Sequence, residues 1–187
     1  MITEKQNKGI SKFMSYVLRH RPEVIGLQLD ENGWADVAEL ITKANANATE
    51  WSTPITIDIV KHIVDTNDKK RFAFNEDGTK IRASQGHSVE VDLAYESQTP
   101  PEVLYHGTAT KFLDAILIGR LTKQSRQHVH MSENIETMLE VAKRHGKPVL
   151  LKIHAAEMAA AGYQFYLSAN NVWLTDSVPA GFLTVAR

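Results

Sequence analysis

Arginine and histidine recur in this chain beside glycine and small hydroxyls, in Leu18-Arg19-His20-Arg21-Pro22, Gln85-Gly86-His87-Ser88, Tyr105-His106-Gly107-Thr108 and His128-Val129-His130-Met131-Ser132. Side chains of these types make a site for phosphate. Guanidinium forks and imidazoles neutralise the oxygens, and hydroxyls and main-chain amides complete the cradle. Arg19, Arg71 and Arg126 lie far apart in sequence. They can meet one polyanion only if two halves of the protein fold toward one another, which predicts a cleft between lobes.

Other chemistries are less well supplied. Without cysteine there are no disulfides, no thiolate metal sites and no cysteine nucleophile. Neither a Gly-x-Gly-x-x-Gly nor a Walker-type loop occurs, so a nucleotide here is not held by a Rossmann or P-loop cradle. His106-Gly107-Thr108 is expected where a strand ends in a turn, with Gly107 letting a ligand approach the backbone closely. A turn glycine beside a structural histidine is the plain alternative. His128 and His130, two apart on an expected strand, face one side. Zinc would need a third ligand that the spacing does not offer, so no metal is expected and one of the pair fits a core histidine equally well. Arg19 and His20, as cations in a helix's last turn, also complement its negative end, worth ~0.3 to 1 kcal/mol. No Glu-x-Glu pair offers a general base. A reaction here therefore needs a nucleophile already ionised, and a phosphate monoester qualifies.

The elements that must position these groups follow from hydrophobic spacing. Ile10, Phe13, Met14, Val17 and Leu18 predict an amphipathic helix with Ser11 as its cap and Pro22 as its stop. Asp36-Val37-Ala38-Glu39, after an Asn32-Gly33 turn, has capping-box spacing and opens a second helix through Val37, Leu40 and Ile41. Ile59, Val60, Ile63 and Val64 make a third. Arg71–Phe74 and Thr79–Arg82 flank Asn75-Glu76-Asp77-Gly78 as a hairpin. Three helices closed by a hairpin is a winged-helix layout. The hairpin region carries Lys69, Lys70, Arg71 and Arg82, which read either as a phosphate-binding cluster or as a protected edge strand. Ser97-Gln98-Thr99-Pro100-Pro101 reads as an interdomain linker. Beyond it, strands are expected at 103–105, 129–131, 149–153, 172–174 and 182–185, with helices near 112–118, 135–144 and 155–161. The fold class is α+β, with lobes over 1–95 and 96–187.

Charge bounds the partners. The chain has 187 residues and a formal net charge of -1; 12 basic residues face 14 acidic ones in the first 95, and 9 face 8 in the remainder. Neither half is a general polycation, so nucleic-acid contact must come from a local patch. No signal peptide and no spanning apolar stretch is seen, which points to a cytoplasmic protein without membrane contact. A monomer is favoured.

Taken together, Ser11-Lys12-Phe13, Val17-Leu18-Arg19-His20, Gly33-Trp34-Ala35-Asp36, Asp68-Lys69-Lys70-Arg71-Phe72, Ile81–Ser88, Leu104–Thr108, Arg126–Ser132 and Asn171–Thr175 run in order through nearly the whole chain. In these segments it resembles the RNA 2'-phosphotransferases of the KptA family. That resemblance implies a winged-helix-like lobe joined to an ADP-ribosyltransferase-like lobe that binds NAD. It implies removal of an internal 2'-phosphate from a tRNA-like substrate through an ADP-ribosylated 2'-phosphate, giving a free 2'-hydroxyl, nicotinamide and ADP-ribose 1'',2''-cyclic phosphate. The family's catalytic set falls on Arg19, His20, Arg71 and Arg126. NAD would be held by Tyr105, His106, Gly107, Thr108 and Ser132, and RNA phosphate by Lys69 and Arg71. Asn170-Asn171 stands where the family has Asn-Gly, an exchange expected to alter the local turn.

Three rival readings remain open on the residues alone. His106-Gly107-Thr108 and His130-Met131-Ser132 form two His-x-[Thr/Ser] tripeptides, as in two-histidine phosphoesterases, although 24 residues apart is close for that class. A winged-helix nucleic-acid binder with a ligand-sensing second lobe is non-enzymatic. An ADP-ribosyltransferase acting on another acceptor, a terminal nucleic-acid phosphate or a protein, would keep the NAD site.

Overall fold

The computed structural model of the protein describes residues 2–47 and 54–186. The fold is α+β, and the chain divides into two compact units, Met1–Ala94 and Tyr95–Arg187, each with its own hydrophobic core.

In the first unit, α1 (Glu4–Arg19) begins well before Ser11. Thr3 caps it: the Gln6 N–H donates to the Thr3 hydroxyl at 3.2 Å and the Thr3 N–H to the Gln6 side-chain oxygen at 2.8 Å. That reciprocal pair satisfies two of the helix's open donors. Ser11 lies inside the helix, so the expected cap is corrected. The apolar stripe starts only at Ile10, and spacing alone cannot see the polar turns ahead of it. Ile10, Met14, Val17 and Leu18 are at most 1 % exposed, and burial of each contributes about 1.5–3 kcal/mol. The helix ends at Arg19 with His20 as C-cap, and Pro22 opens a 3-10 turn, Pro22–Ile25.

A two-residue strand, β1 (Ala35–Asp36), precedes α2 (Val37–Asn47). Asp36 Oδ1 accepts the Glu39 N–H at 2.7 Å, but the Glu39 carboxylate turns to Lys43, so half of the expected capping box forms. After α3 (Ile57–Asp65), β2 (Phe72–Phe74) and β3 (Lys80–Ala83) form the hairpin, and β1 joins it in an antiparallel sheet of order β1-β3-β2.

The second unit runs β4 (Val103–Ala109), α4 (Thr110–Ile118), β5 (Arg120–Thr122), β6 (Val129–Met131), α5 (Ile135–Lys143), β7 (Pro148–His154), α6 (Ala155–Ala160), β8 (Tyr166–Leu167), β9 (Trp173–Thr175), β10 (Ser177–Pro179) and β11 (Leu183–Val185). Its antiparallel sheets have the orders β11-β7-β4, β6-β9-β8 and β10-β5. The segment read as a linker is docked on this unit, because Ser97 bridges Tyr166 and the Gln98 N–H donates to the Phe165 carbonyl at 2.8 Å.

Two local expectations change. His106-Gly107-Thr108 lies within β4 rather than at a strand-ending turn: the strand continues to Ala109, with Gly107 opposite Leu150 on β7. A Cβ on Gly107 would sit 1.9 Å from the Met138 carbonyl oxygen of α5, so the backbone approach that requires glycine is that of a helix. Asn171 adopts φ +58°, the left-handed conformation that glycine would take. Asparagine tolerates that region better than other side chains. The Asn171 N–H still donates to the Ser168 carbonyl at 2.9 Å, and the turn survives the exchange.

Candidate functional site

The C-terminus of α1 and the start of β2 build a cationic corner in the first unit. An Arg19 Nη2–H donates to the Arg71 carbonyl at 3.4 Å, across 52 residues of sequence. Asn67, in the turn after α3, orients Arg71: its Oδ1 accepts from both the Arg71 backbone N–H and Nη1, each at 3.3 Å. Two guanidinium groups, half-buried, are thereby held on one corner, Arg19 by the Arg71 main chain and Arg71 by the Asn67 side chain. His20 joins them through the loop 84–89. The Ser88 N–H donates to the Arg19 carbonyl at 2.9 Å, and the Ser88 hydroxyl lies 2.9 Å from His20 Nδ1.

Beneath this corner His87 is 1 % exposed, and neither ring nitrogen has a hydrogen-bond partner among the described residues. Burial, reinforced by the nearby charges of Arg19, His20 and Arg82, lowers its pKa to about 4. Gly33 packs beside this ring: a Cβ there would lie at ordinary contact distance, 3.5 Å from His87 Nε2, and it is the φ of +75° that favours glycine. Sequence reasoning left Asn67, His87 and Ser88 without a role, although Gln85-Gly86-His87-Ser88 was conspicuous. The positive cluster around the hairpin divides: Arg71 and Lys69 line a groove along α1, whereas the Arg82 guanidinium stacks 4.4 Å above the Trp34 ring.

In the second unit, β4 and β6 meet edge to edge. Tyr105 and Ser132 exchange backbone hydrogen bonds of 2.8 and 3.0 Å, which sets His106 beside the His130-Met131-Ser132 segment. His106 Nδ1 is 2.8 Å from the His130 carbonyl. A carbonyl can only accept, so Nδ1 carries the proton and Nε2 keeps its lone pair. Burial holds His106 below the usual histidine range, with Arg126 and His145 adding to the effect and the His130 hydrogen bond opposing it. Arg126 Nη1 donates to His130 Nδ1, which makes His130 an acceptor at that nitrogen. Burial lowers the Arg126 guanidinium too, without removing its charge.

Thr108 is buried at 6 % exposure, and alternation along β4 places His106 and Thr108 on the face opposite Tyr105 and Gly107. The five expected cofactor residues therefore do not share one face. Ser132 Oγ accepts the Asn134 N–H at 3.0 Å, ahead of α5. His128 packs edge-on to Tyr166 and Tyr95, with centroids at 5.6 and 6.3 Å, and burial lowers its pKa. Among the described residues no group of three His, Asp or Glu side chains could hold a metal ion, and no helix is long and apolar enough to cross a membrane.

Comparison with known proteins adds a family to this geometry. Residues 5–177 match the family model described as RNA 2'-phosphotransferase, Tpt1 / KptA family. A protein of Agrobacterium fabrum is 54 % identical over 94 % of this chain and 92 % of its own length. Another, from Flavobacterium johnsoniae, is 52 % identical over 97 % of this chain and 98 % of its own. A third, from Acaryochloris marina, is 51 % identical over 96 % and 97 %. All three carry the name "Probable RNA 2'-phosphotransferase".

Proposed function

The chain belongs to the RNA 2'-phosphotransferase, Tpt1 / KptA family, and from that premise we propose that it is an enzyme that removes an internal RNA 2'-phosphate by transferring it to ADP-ribose from NAD. The observation that carries this reading is the convergence of Arg19, His20 and Arg71 on one corner, held by main-chain and Asn67 contacts. Such a corner suits a phosphate dianion.

In the first step an oxygen of the RNA 2'-phosphate attacks the nicotinamide riboside carbon. The new carbon–oxygen bond forms as the glycosidic bond to nicotinamide breaks, and the pyridinium nitrogen keeps the bonding pair. The nucleophile is already ionised and the leaving group departs neutral, so neither a base nor an acid is required. In the second step the adjacent ribose 2''-hydroxyl attacks phosphorus and gives up its proton, which balances the one that the departing RNA 2'-oxygen takes up. The bond to the RNA 2'-oxygen breaks, and that oxygen ends protonated as a hydroxyl. Charge accumulates on phosphoryl oxygens here, and arginine forks neutralise it bidentately. Arg19, Arg71 and Arg126 are assigned that role. His20, with Nδ1 on the Ser88 hydroxyl, orients or protonates around the phosphoryl oxygens. His106 has Nε2 available as an acceptor for a ribose hydroxyl, and it is assigned with Tyr105, Thr108 and Ser132 to NAD, whereas Gly107 serves the packing of α5 on β4. The unit that contains α1–α3 and the hairpin is read as winged-helix-like, and the second unit as ADP-ribosyltransferase-like.

Product analysis with an oligonucleotide bearing one internal 2'-phosphate tests the proposal. Dephosphorylation is expected only with NAD, with nicotinamide and ADP-ribose 1'',2''-cyclic phosphate released together. Inorganic phosphate released without NAD would sink it. Chelator should leave the rate unchanged, because the proposed phosphate-neutralising groups are arginines; loss restored by one divalent ion would count against that assignment.

A further inference from the structure

A groove of about 540 Å³ runs from Arg19 and Arg71 back along the polar face of α1. Its cations are Lys8, Lys12, Arg19, Lys69 and Arg71, against the single carboxylate of Asp68. Residues 1–95 as a whole carry 12 basic and 14 acidic side chains, yet this groove gathers five of the basic ones around one acid. Lys12 is exposed and forms no ion pair among the described residues, whereas Lys8 pairs with Glu4 at 2.7 Å. Hydroxyls of Ser11 and Ser15 lie between the cations. The two walls are joined, since Asn67 Nδ2 donates to Ser11 Oγ at 3.4 Å while Asn67 Oδ1 holds Arg71. The groove is thus a built extension of the phosphate corner, tied to it by the residue that orients Arg71.

We propose that this groove binds the single-stranded RNA flanking the 2'-phosphorylated nucleotide, with Lys12 and Lys69 on successive backbone phosphates and Ser11 and Ser15 hydrogen-bonded to phosphate or ribose oxygens. The inference rests on the 2'-phosphotransferase reading and says where the substrate chain lies. Lys12 precedes Arg19 by seven residues, about 10 Å along the helix at ~1.5 Å per residue. At ~3.4 Å per stacked nucleotide, the track covers roughly three nucleotides beyond the reacting one. The contacts are to backbone, so they carry affinity without sequence preference.

The test compares a 2'-phosphorylated heptanucleotide, about three nucleotides either side, with a 2'-phosphorylated dinucleotide, in wild type, Lys12→Ala and Lys12→Glu. Lys12 is exposed on a helix with an intact apolar face, so both variants should keep the wild-type circular dichroism spectrum and melting temperature. Wild type is expected to favour the heptanucleotide in kcat/KM, and Lys12→Glu to remove about tenfold of that advantage through KM, with KM for NAD unchanged. For Lys12→Ala, the slope of log KM for the heptanucleotide against log salt should fall by ~0.7, the increment for one single-strand phosphate contact. A heptanucleotide no better than the dinucleotide in wild type overturns the proposal, as does an equal loss on both substrates in the variants. Fluorescence anisotropy with the same heptanucleotide separates this inference from the reaction: Lys12-dependent binding without NAD-dependent turnover keeps the groove and rejects the reaction, and turnover without Lys12 dependence does the reverse.

Discussion

His87 is fully enclosed, neutral and without a hydrogen-bond partner among the described residues, and that has a measurable cost in acid. Its pKa is lowered from the ordinary histidine value to about 4 when folded. Between those values the unfolded chain binds more protons than the folded one, so stability falls as pH drops through the window and is constant above it. The full effect is about 3 kcal/mol at ~1.4 kcal/mol per pKa unit. His87→Phe removes the titration and should flatten stability between pH 6.5 and 4, measured by denaturant midpoints at several pH values. An unchanged slope would place the acid sensitivity in His106 and His128 instead. The arginines call for a kinetic test. Phosphorus becomes the electrophile only in the second step, so Arg71→Ala and Arg126→Ala should slow that step on the order of 10² to 10³ and accumulate RNA carrying an ADP-ribosylated 2'-phosphate. Time courses on labelled RNA would show it as a slower-migrating species. Variants that stall before any ADP-ribose is attached would assign these arginines to positioning in the first step.

At the scale of elements, the packing of α5 on β4 governs the second unit's part of the site. Gly107 lies where the helix backbone comes closest, and an added Cβ would meet the Met138 carbonyl oxygen at 1.9 Å and Ala142 Cβ at 3.1 Å. Backbone cannot yield as a flexible side chain does, so Gly107→Ala should destabilise by at least ~1–3 kcal/mol. Gly9→Ala is the matched control. Gly9 lies inside α1 with nothing within 4 Å of its added Cβ, and it should gain about 0.5–1 kcal/mol from helix propensity. Denaturant midpoints for the two variants should therefore move in opposite directions. A Gly107→Ala midpoint no lower than wild type would mean that α5 is not rigidly seated, and the placement of His106 beside His130 would lose its support.

For the molecule as a whole, the two cores share no residue: one is built from Ile10 to Ala83, the other from Leu104 to Leu183. The boundary is sharp. Ala94 N–H donates to the Asp92 carboxylate at 2.8 Å, whereas the Tyr95 ring packs near His128 and Tyr166. A fragment of residues 1–94 carries its own core, the Arg19–Arg71 corner and the α1 groove. It should unfold cooperatively and bind the 2'-phosphorylated heptanucleotide in a Lys12-dependent way, while consuming no NAD. Calorimetry and anisotropy would check this, and a fragment without a cooperative transition would refute its independence.

Sequence alone determined much of this protein, because hydrophobic spacing is local. The stripe Ile10-Met14-Val17, the Asn75–Gly78 turn and the apolar run Val149–Ile153 each mark an element without reference to the rest of the chain. The ordered motifs likewise carried the family. The two-residue strands β1 and β8 escaped, since so short a segment shows no period. Tertiary structure decided which polar groups meet. Asn67 orienting Arg71, Ser88 on His20 and His106 on the His130 carbonyl depend on how turns and strand edges are brought side by side, and the last two join residues 68 and 24 positions apart. It also decided what Gly107 is for. The sequence shows a missing side chain, but only packing shows that a helix, and not a ligand, fills the space.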